Sequence, residues 1–583
     1  MPSKAELIEK LEQMASMLEL TGANRFKVNA YDKAARAIKG ASIDVIEHAD
    51  DPKKLEEIDG VGSSIAEKIG EFAETGTFEE FEQLRKKVPS GLIRVLAVPG
   101  IGPKTVRLMW TELEIETIDD LKKAIDDGSL EDLPRMGKKT IENLKDAISF
   151  SEQSGERTPI GKAMPLAEDL VEKLGKVKGV RQIAYAGSLR RGAETIGDID
   201  ILVSAKTPAD VHDALTGTEG VEKVLVSGET KTSVRMKLGN RQIQVDLRSI
   251  DDNAFGAAML YFTGSKEHNV KLRERALKKD LTLNEYGLFP KDDEDTPPQQ
   301  RGVKPVACDT EEKIYKALDL KWIPPELRED RGELKGKLPD LIELDDIKAE
   351  LHAHTTESDG AMSIRELAEH AKQRGFHTIA VTDHSKSSAV ANGLDEKRLR
   401  KHIKAVREVN DEMDGITILA GSEVDILADG RLDYDDELLA ELDIVVASPH
   451  TGLSQDPKKA TSRLLKAIEH PLVHILGHPT GRLIGKREGL SPDIKALAEA
   501  AEAHNVALEV NANWRRLDLR DTHIAIALEA GALIAIDCDV HGPADYDQLS
   551  YGVLTARRGG LTASSCVNTW TAAKLQKWLK SKR

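Results

Sequence analysis

The sequence predicts a multidomain protein that joins an all-α helical region, an α+β region and a C-terminal parallel barrel of strands and helices. Three observations predict it. A short helix, a glycine turn and a second helix recur three times before residue 150. After residue 156 the pattern switches to short alternating strands around two aspartates two positions apart. In the last third, histidines stand at the ends of apolar runs that alternate with helical stretches. A length of 583 residues accommodates several such domains.

Composition narrows the function classes. Charged residues make up 31% of the chain, and no window approaches the 18 uninterrupted apolar residues of a membrane span. The N-terminus, M-P-S-K-A-E-L-I-E-K-L, lacks the apolar region of a signal peptide. Cys308, Cys538 and Cys566 are far apart with no C-x-x-C pair, which argues against disulfides and thiolate zinc sites and for the cytoplasm. The net charge of −17 does not exclude a nucleic-acid partner, because binding depends on where basic residues cluster. Tyr261–Leu281 carries such a cluster in Lys266, Lys271, Arg273, Arg275, Lys278 and Lys279.

The repeat reads I-D-G-V-G-S-S-I from Ile58, V-P-G-I-G-P-K-T from Val98 and L-P-R-M-G-K-K-T from Leu133. Glycine admits the tight turn and lets a phosphate approach the N–H groups that open the second helix. Gly60, Gly62, Gly100, Gly102 and Gly137 are therefore candidate phosphate contacts, with Arg135 replacing the first glycine of the third copy. The pattern resembles the helix-hairpin-helix motif, which holds DNA without reading its sequence. Lys68, one turn past the first hairpin, is a candidate Schiff-base nucleophile or an ordinary solvated lysine.

Gly187–Asp200 reads G-S-L-R-R-G-A-E-T-I-G-D-I-D. On a strand, Asp198 and Asp200 share a face. Asp246, in R-Q-I-Q-V-D-L-R, supplies a third carboxylate from another strand. Hard oxygen ligands suit Mg²⁺, and a pair of such ions activates an attacking oxygen and holds a leaving phosphate. Gly187, Ser188, Arg190 and Arg191 offer N–H groups, a hydroxyl and guanidinium forks for a triphosphate. Alone, D-x-D reads as a strand-end turn; with its neighbours it points to nucleotidyl transfer. A helix broken at Tyr261–Ser265 places two aromatics where a nucleotide stacks.

Past residue 345, His352, His354, Asp359, His384, Glu423, His450, His478, Asp539 and His541 lie in or beside apolar runs. Ligands at strand ends place a site on the C-terminal face of a parallel barrel. Imidazole mixed with carboxylate suits Zn²⁺, Mn²⁺ or Fe²⁺, and this many donors suit two or three ions. Asn511, Arg515 and Arg516 stand nearby as candidate polar and phosphate contacts, whereas His370, His377 and His402 lack that placement.

The order G-S-x-R-R-G, G-D-I-D, V-D-L, Y-F-T-G-S and L-N-E-Y-G-L resembles the X family of DNA polymerases. That resemblance makes Asp198, Asp200 and Asp246 the catalytic Mg²⁺ ligands. It assigns Ser188, Arg191, Gly197 and Arg157 to the incoming triphosphate, and Tyr261, Phe262 and Gly264 to the nucleotide sugar. Asn269 and Arg273 would face the base pair, and Lys68 falls on the family's 5′-deoxyribose-phosphate lyase lysine. H-A-H-T, S-D-G, T-D-H, S-P-H, G-H-P and D-V-H resemble the PHP (polymerase and histidinol phosphatase) domain, which implies a distorted (β/α)₇ barrel holding two to three Mn²⁺ or Zn²⁺ ions.

The expected organisation is a helical lyase-like domain at 1–88, a fingers-like helical domain at 89–152 and a nucleotidyltransferase palm at 153–255. A thumb at 256–320, a linker at 321–345 and the PHP barrel at 346–583 complete it. The expected function is DNA-directed gap filling in repair, with a 3′-5′ exonuclease in the barrel and room there for abasic-site or 3′-phosphate cleavage. Partners would be gapped or primed DNA and deoxynucleoside triphosphates, for a monomer at the nucleoid with no membrane contact. Two rivals remain: a nucleotidyltransferase and phosphatase acting on a non-DNA substrate, and a non-catalytic scaffold that holds DNA ends.

Overall fold

The computed structural model describes residues 4–582 except 41–44, 47, 59, 97, 99, 100, 135, 138, 139, 143, 146, 147, 149–156, 240, 293 and 295. The chain divides into two compact units, one of residues 1–156 with 239–242 and the other of 157–238 with 243–583.

The first unit is helical. Lys4–Leu20 buries Leu7, Leu11, Met14 and Leu18 along one stripe, and Arg25–Gly40 buries Val28, Tyr31, Ala35 and Ile38 against the same core. The hairpins share one local construction. Gly62 and Gly102 are extended N-caps of Ser63–Thr75 and Pro103–Leu113. In all three copies the carbonyl of the last glycine accepts two N–H bonds, from Ile65 and Ala66, from Thr105 and Val106, and from Thr140 and Ile141. The preceding apolar residue, Val61, Ile101 or Met136, is buried each time, so it anchors the turn while the glycine faces outward. A Cβ on Gly62, Gly102 or Gly137 would meet nothing within 4 Å. Gly60 has φ +114°, a backbone that favours glycine. Gly100 and Arg135 lie outside the described residues.

The second unit begins with a five-stranded sheet in the order 180–185, 198–205, 241–249, 231–238, 221–227. Asp198–Ala205 and Arg241–Ser249 run parallel, in a register that sets Asp200 directly beside Asp246. Helices Ile160–Gly175 and Pro208–Thr216 pack on the sheet. The helix Phe255–Thr263 stops at Gly264, with φ +70°, and Ser265 caps Lys266–Leu277, which is the break the sequence predicts.

Residues 321–345 depart from the linker expectation. Arg328 is fully buried and both its terminal nitrogens bond to Glu311, at 2.7 and 3.0 Å, while Arg557 pairs with Glu326 at 2.7 Å. Around Glu326 and Arg328 the segment is packed through these pairs, whereas Lys335, Lys337 and Asp340 further along are exposed.

Seven parallel strands then follow in chain order: 349–350, 378–381, 417–425, 444–448, 475–476, 507–511 and 533–537. A parallel bridge from Ala353 to Val540 joins the first to the last, so the sheet nearly closes into a barrel. Leu351, Ala380, Leu419, Val446, Ile475 and Ala535 share a core with Trp570, Leu575 and Trp578 of the C-terminal segment. Among the described residues, no helix is long and apolar enough to cross a membrane, and the three cysteines are free.

Candidate active sites

The carboxylate site follows from strand register. Asp198 and Asp200 are two apart on one strand, and Asp200 faces Asp246 on the next. Burial, with Asp198 and Asp246 close by, pushes the Asp200 carboxyl up to about 7. Burial and Asp246 push Asp198 up as well. Burial works against ionisation at Asp246 too, but Lys231 at 2.6 Å and the Gln244 amide at 2.9 Å hold it below the usual range. The three share a face, yet their oxygens do not gather at one point. Asp246 is turned to Lys231, and Asp200 Oδ2 lies 2.8 Å from where a Cβ on Gly187 would stand. Gly187, with φ +65°, therefore lets the Gly187–Arg190 turn approach the aspartate closely.

The adjoining basic residues are already engaged. Arg157 donates to the Thr195 hydroxyl and carbonyl, beside Gly197. Arg190 makes two bonds to Glu311, at 2.8 and 2.9 Å. Arg191 donates to the Thr263 carbonyl at 2.6 Å and to Glu329 at 3.0 Å, and Arg558 of a barrel helix also holds Glu329, at 2.8 Å. The sequence offers Arg191 as a guanidinium fork for a triphosphate; here it ties the Gly187–Arg190 turn to Thr263 and Glu329. Ser188 sits in that turn. Tyr261 and Phe262 pack edge to face at 5.1 Å, with Arg248 over the Phe262 ring. The Asn269 amide donates to the Tyr261 carbonyl at 2.7 Å, and Arg273 lines a small cavity with Tyr261 and Asn269.

In the barrel the predicted ligands converge. Three sets have ligand atoms mutually within 4.8 Å: His354, Asp359, His384 and His541; His352, His354 and Asp539; His384, Glu423 and His450. Among the described residues the carboxylate trio forms no such set. Shared His354 and His384 link the three sets. Glu423 is fully buried at the centre, 3.3 Å from His352, 2.9 Å from His384, 3.2 Å from His450 and 2.8 Å from His478. His478 belongs to none of the three sets.

The donor set fits divalent cations. His352 Nε2, both His354 ring nitrogens, His384 Nδ1, Glu423 Oε2, His478 Nδ1 and Asp539 Oδ1 are buried without hydrogen-bond partners. His354 Nε2 lies 3.1 Å from Asp539 Oδ1 without a bond between them, so their lone pairs are aimed at shared points. Burial and the neighbouring His384 and His541 pull the His354 imidazole down to about 4, leaving it neutral as a ligand must be.

Around the ligands lies a supporting layer in which sequence reading named Asn511 and Arg516 but missed Glu509, Asp425 and Asp383. Glu509 accepts from His352 Nδ1 at 2.6 Å and from the His478 backbone at 2.5 Å. Asp425 lies 2.9 Å from His450 Nδ1, and Asn511 donates to Asp539 at 3.1 Å. Asp383 binds the Thr355 and Ser358 hydroxyls, and His402 Nε2 lies 2.7 Å from it, which makes His402 a buried structural residue. Arg516 reaches Asp539 at 3.8 Å, and Arg515 lies over the Trp514 ring.

Comparison with known proteins decides what joins these parts. A helix-hairpin-helix domain matches residues 2–78, a SAM-like helix-hairpin-helix tandem 92–149, the DNA polymerase beta thumb 258–329 and a PHP domain 350–513. The DNA polymerase/3'-5' exonuclease PolX of Bacillus subtilis (strain 168) is 37% identical over 585 residues, covering 99% of both chains. The chain belongs to the PHP-containing family X DNA polymerases. Shorter relatives are a probable phosphatase of Thermoanaerobacter sp. (strain X514), 29% identical over 40% of this chain and 94% of its own, and one of Syntrophotalea carbinolica, 33% identical over 28% and 66%.

In this family X chain, Lys68 is set among charged neighbours. Its amine bonds to the Ser64 hydroxyl at 2.9 Å and pairs with Glu80 at 3.2 Å. Glu80 also binds Lys27 and accepts from Tyr31 at 2.6 Å. Lys27, Tyr31 and Glu80 are distant in sequence from Lys68, so no local motif announces the group.

Proposed function

We propose that this protein fills short gaps in DNA and trims 3′ ends, each with its own centre. The observation that carries the reading is the presence in one chain of two donor sets of different chemistry. One is all oxygen, with Asp200 beside Asp246 across parallel strands; the other is rich in imidazole, around Glu423. The hairpin glycines at 60, 62, 100, 102 and 137 would hold the duplex backbone, Gly100 included on its sequence alone. Helical regions at 1–88 and 89–152, a palm at 153–255, a thumb at 256–320 and the barrel from 346 would divide the work, with the protein on the nucleoid.

For synthesis, Asp198, Asp200 and Asp246 would hold Mg²⁺, which when bound lowers the pKa of the primer hydroxyl and neutralises the triphosphate. The chain's own groups position the partners. The N–H groups of Gly187–Arg190, the Ser188 hydroxyl and Arg191 face the phosphates, Arg191 exchanging Glu329 for a triphosphate oxygen. Arg157 steadies the strand at Thr195 beside Asp198. Tyr261, Phe262 and Gly264 flank the sugar, and Asn269, fixed by the Tyr261 carbonyl, faces the base pair with Arg273.

For trimming, the nine barrel ligands would hold two or three Mn²⁺ or Zn²⁺ ions, which when bound supply a hydroxide near neutral pH and clamp the phosphodiester. Glu509 and Asp425 fix the ring orientation of His352 and His450, and Arg516 presents a cation near Asp539. At Lys68 we place a lyase step: the uncharged amine adds to C1′ of a 5′-deoxyribose phosphate and water leaves as the imine forms.

The test is a gapped duplex incubated with and without deoxynucleotides, in Mg²⁺ and then Mn²⁺. Extension should fail in Asp200→Ala alone and shortening in His354→Ala alone. Failure of wild type to extend any primed DNA would favour a non-DNA nucleotidyltransferase. Unchanged activities in both variants would favour a scaffold. Borohydride should trap wild type, and not Lys68→Ala, on a 5′-deoxyribose-phosphate end.

A further inference from the structure

A second element stands over the barrel centre. Residues 388–392 form a short turn clamped on two ligand-bearing segments. At one end the Ser388 hydroxyl donates to Asp425 at 2.6 Å and lies 3.4 Å from His450 Nδ1. At the other, the Asn392 amide donates to the carbonyls of Glu357 and Ser358, next to Asp359. Arg398 locks the same end through the carbonyls of Asn392 and Gly393, and Leu394 N–H donates to the His384 carbonyl at 2.8 Å. The turn therefore reaches from the His450 side of the mouth to the Asp359 side.

Its crest is apolar. Ala389–Ala391 is a single 3₁₀ turn, and Val390 is 105% exposed. An isolated surface valine needs no explanation. This one sits on a rigid clamp at the mouth of a metal-ligand cluster. The helix that follows, Glu396–Glu412, carries exposed Lys397, Lys401 and Lys404 at helical spacing, which line one depression with Arg400. The other charges there are spent: Glu396 pairs with Lys386, Arg400 with Glu441, and Asp395 caps the helix.

We propose that the Ala389–Ala391 turn is a wedge whose Val390 parts the terminal base pair of duplex DNA at the barrel mouth, while Lys397, Lys401 and Lys404 hold strand phosphates beside it. Apolar side chains inserted at a base step unstack it, and a lysine row neutralises phosphates without reading sequence. On the reading of the barrel as a 3′-5′ exonuclease, a 3′ nucleotide entering the ligand cluster leaves its partner base behind, so a paired end must first be opened. The wedge supplies the stacking partner that the lost neighbour base provided.

This inference rests on the reading of the barrel as a 3′-5′ exonuclease, and the experiment separates the two. Full-length protein in Mn²⁺ is given one 5′-labelled oligonucleotide in three forms: single-stranded, annealed with a matched 3′ end, and annealed with a mismatched 3′ tail. Val390→Ser should slow the matched end by about tenfold, the scale of losing one apolar side-chain contact. It should leave the other two forms little changed, and Val390→Leu should keep the wild-type pattern. Replacing the three lysines by serine should weaken binding of all forms and flatten its dependence on salt. Equal slowing of all three forms by Val390→Ser, or no slowing, overturns the wedge. An unchanged salt dependence overturns the phosphate track. If wild type leaves the single strand intact, the exonuclease reading falls and the wedge with it.

Discussion

The two donor sets differ in how much of each is built before substrate arrives. In the barrel, six strands bring imidazoles and carboxylates together, and Glu509, Asp425 and Asn511 hold them from behind. In the palm, the aspartates share a face, but Asp246 leans on Lys231 and Asp200 on Gly187, and Arg191 is taken up by Glu329. Metal chemistry explains the contrast. With Mg²⁺ at the aspartates, as proposed above, several positions stay open for water and phosphate and a substrate completes the site, whereas an imidazole cluster must hold its ions by itself.

The sharpest way to break this comparison is to remove one ligand from each side. Asp200→Ala should lower primer extension by on the order of 10³-fold, the loss typical of a charge-stabilising group at a reaction centre. Primer shortening by the same protein should stay at wild-type rate. His354 belongs to two of the three ligand sets, so His354→Ala should produce the mirror image, shortening lost and extension kept. Gel assays of one labelled primer read both; a variant that abolishes both activities would mean that the centres are not independent.

The palm's preorganisation lies instead in buried ion pairs behind the Gly187–Arg190 turn. Glu311 receives paired bonds from Arg190 and Arg328. Burial alone would raise its carboxyl, but the two guanidiniums hold it far below the usual range. A depressed folded pKa gives stability that is fully present above the unfolded value, near 4.5, and is lost as pH falls through the folded one. Glu311→Gln leaves both arginines uncompensated and should cost about 3 kcal/mol at pH 7. Urea midpoints at pH 7 and pH 4 test this, with the gap between the proteins narrowing toward acid. A constant gap would show that packing, rather than charge, is what Glu311 contributes.

The same contrast governs what could be read from sequence. Asp198 and Asp200 announce a shared face by spacing alone, and the barrel ligands announce a site by standing at the ends of apolar runs. The barrel's strand order and the helix break at Gly264 were equally legible. How Arg191 is held was not legible because its partners, Glu329 and Arg558, lie 138 and 367 residues away. The part of 321–345 around Glu326 and Arg328 looked like a spacer because proline and charge signal exposure until a buried partner is known. Glu509 and Asp425 had a local signal that went unused, a strand carboxylate flanked on both sides by apolar residues, L-E-V and V-D-I. Buried charge is costly unless paired, so such residues mark the supporting layer of a site.

That supporting layer gives the smallest of these effects and the finest test of the comparison. Glu509 touches His352 Nδ1 and the His478 N–H. Glu509→Gln keeps the size and one acceptor but removes the negative charge that orients the ring and raises its basicity. Metal affinity should fall about 10–100-fold, the range for second-layer partners of a ligating histidine. Mn²⁺ titration of primer shortening should then reach the wild-type plateau at a higher concentration, while extension in Mg²⁺ is unchanged. A reduced plateau with unchanged Mn²⁺ affinity would place Glu509 in the chemical step instead, and the layer behind the ligands would then not be what sets the barrel apart from the palm.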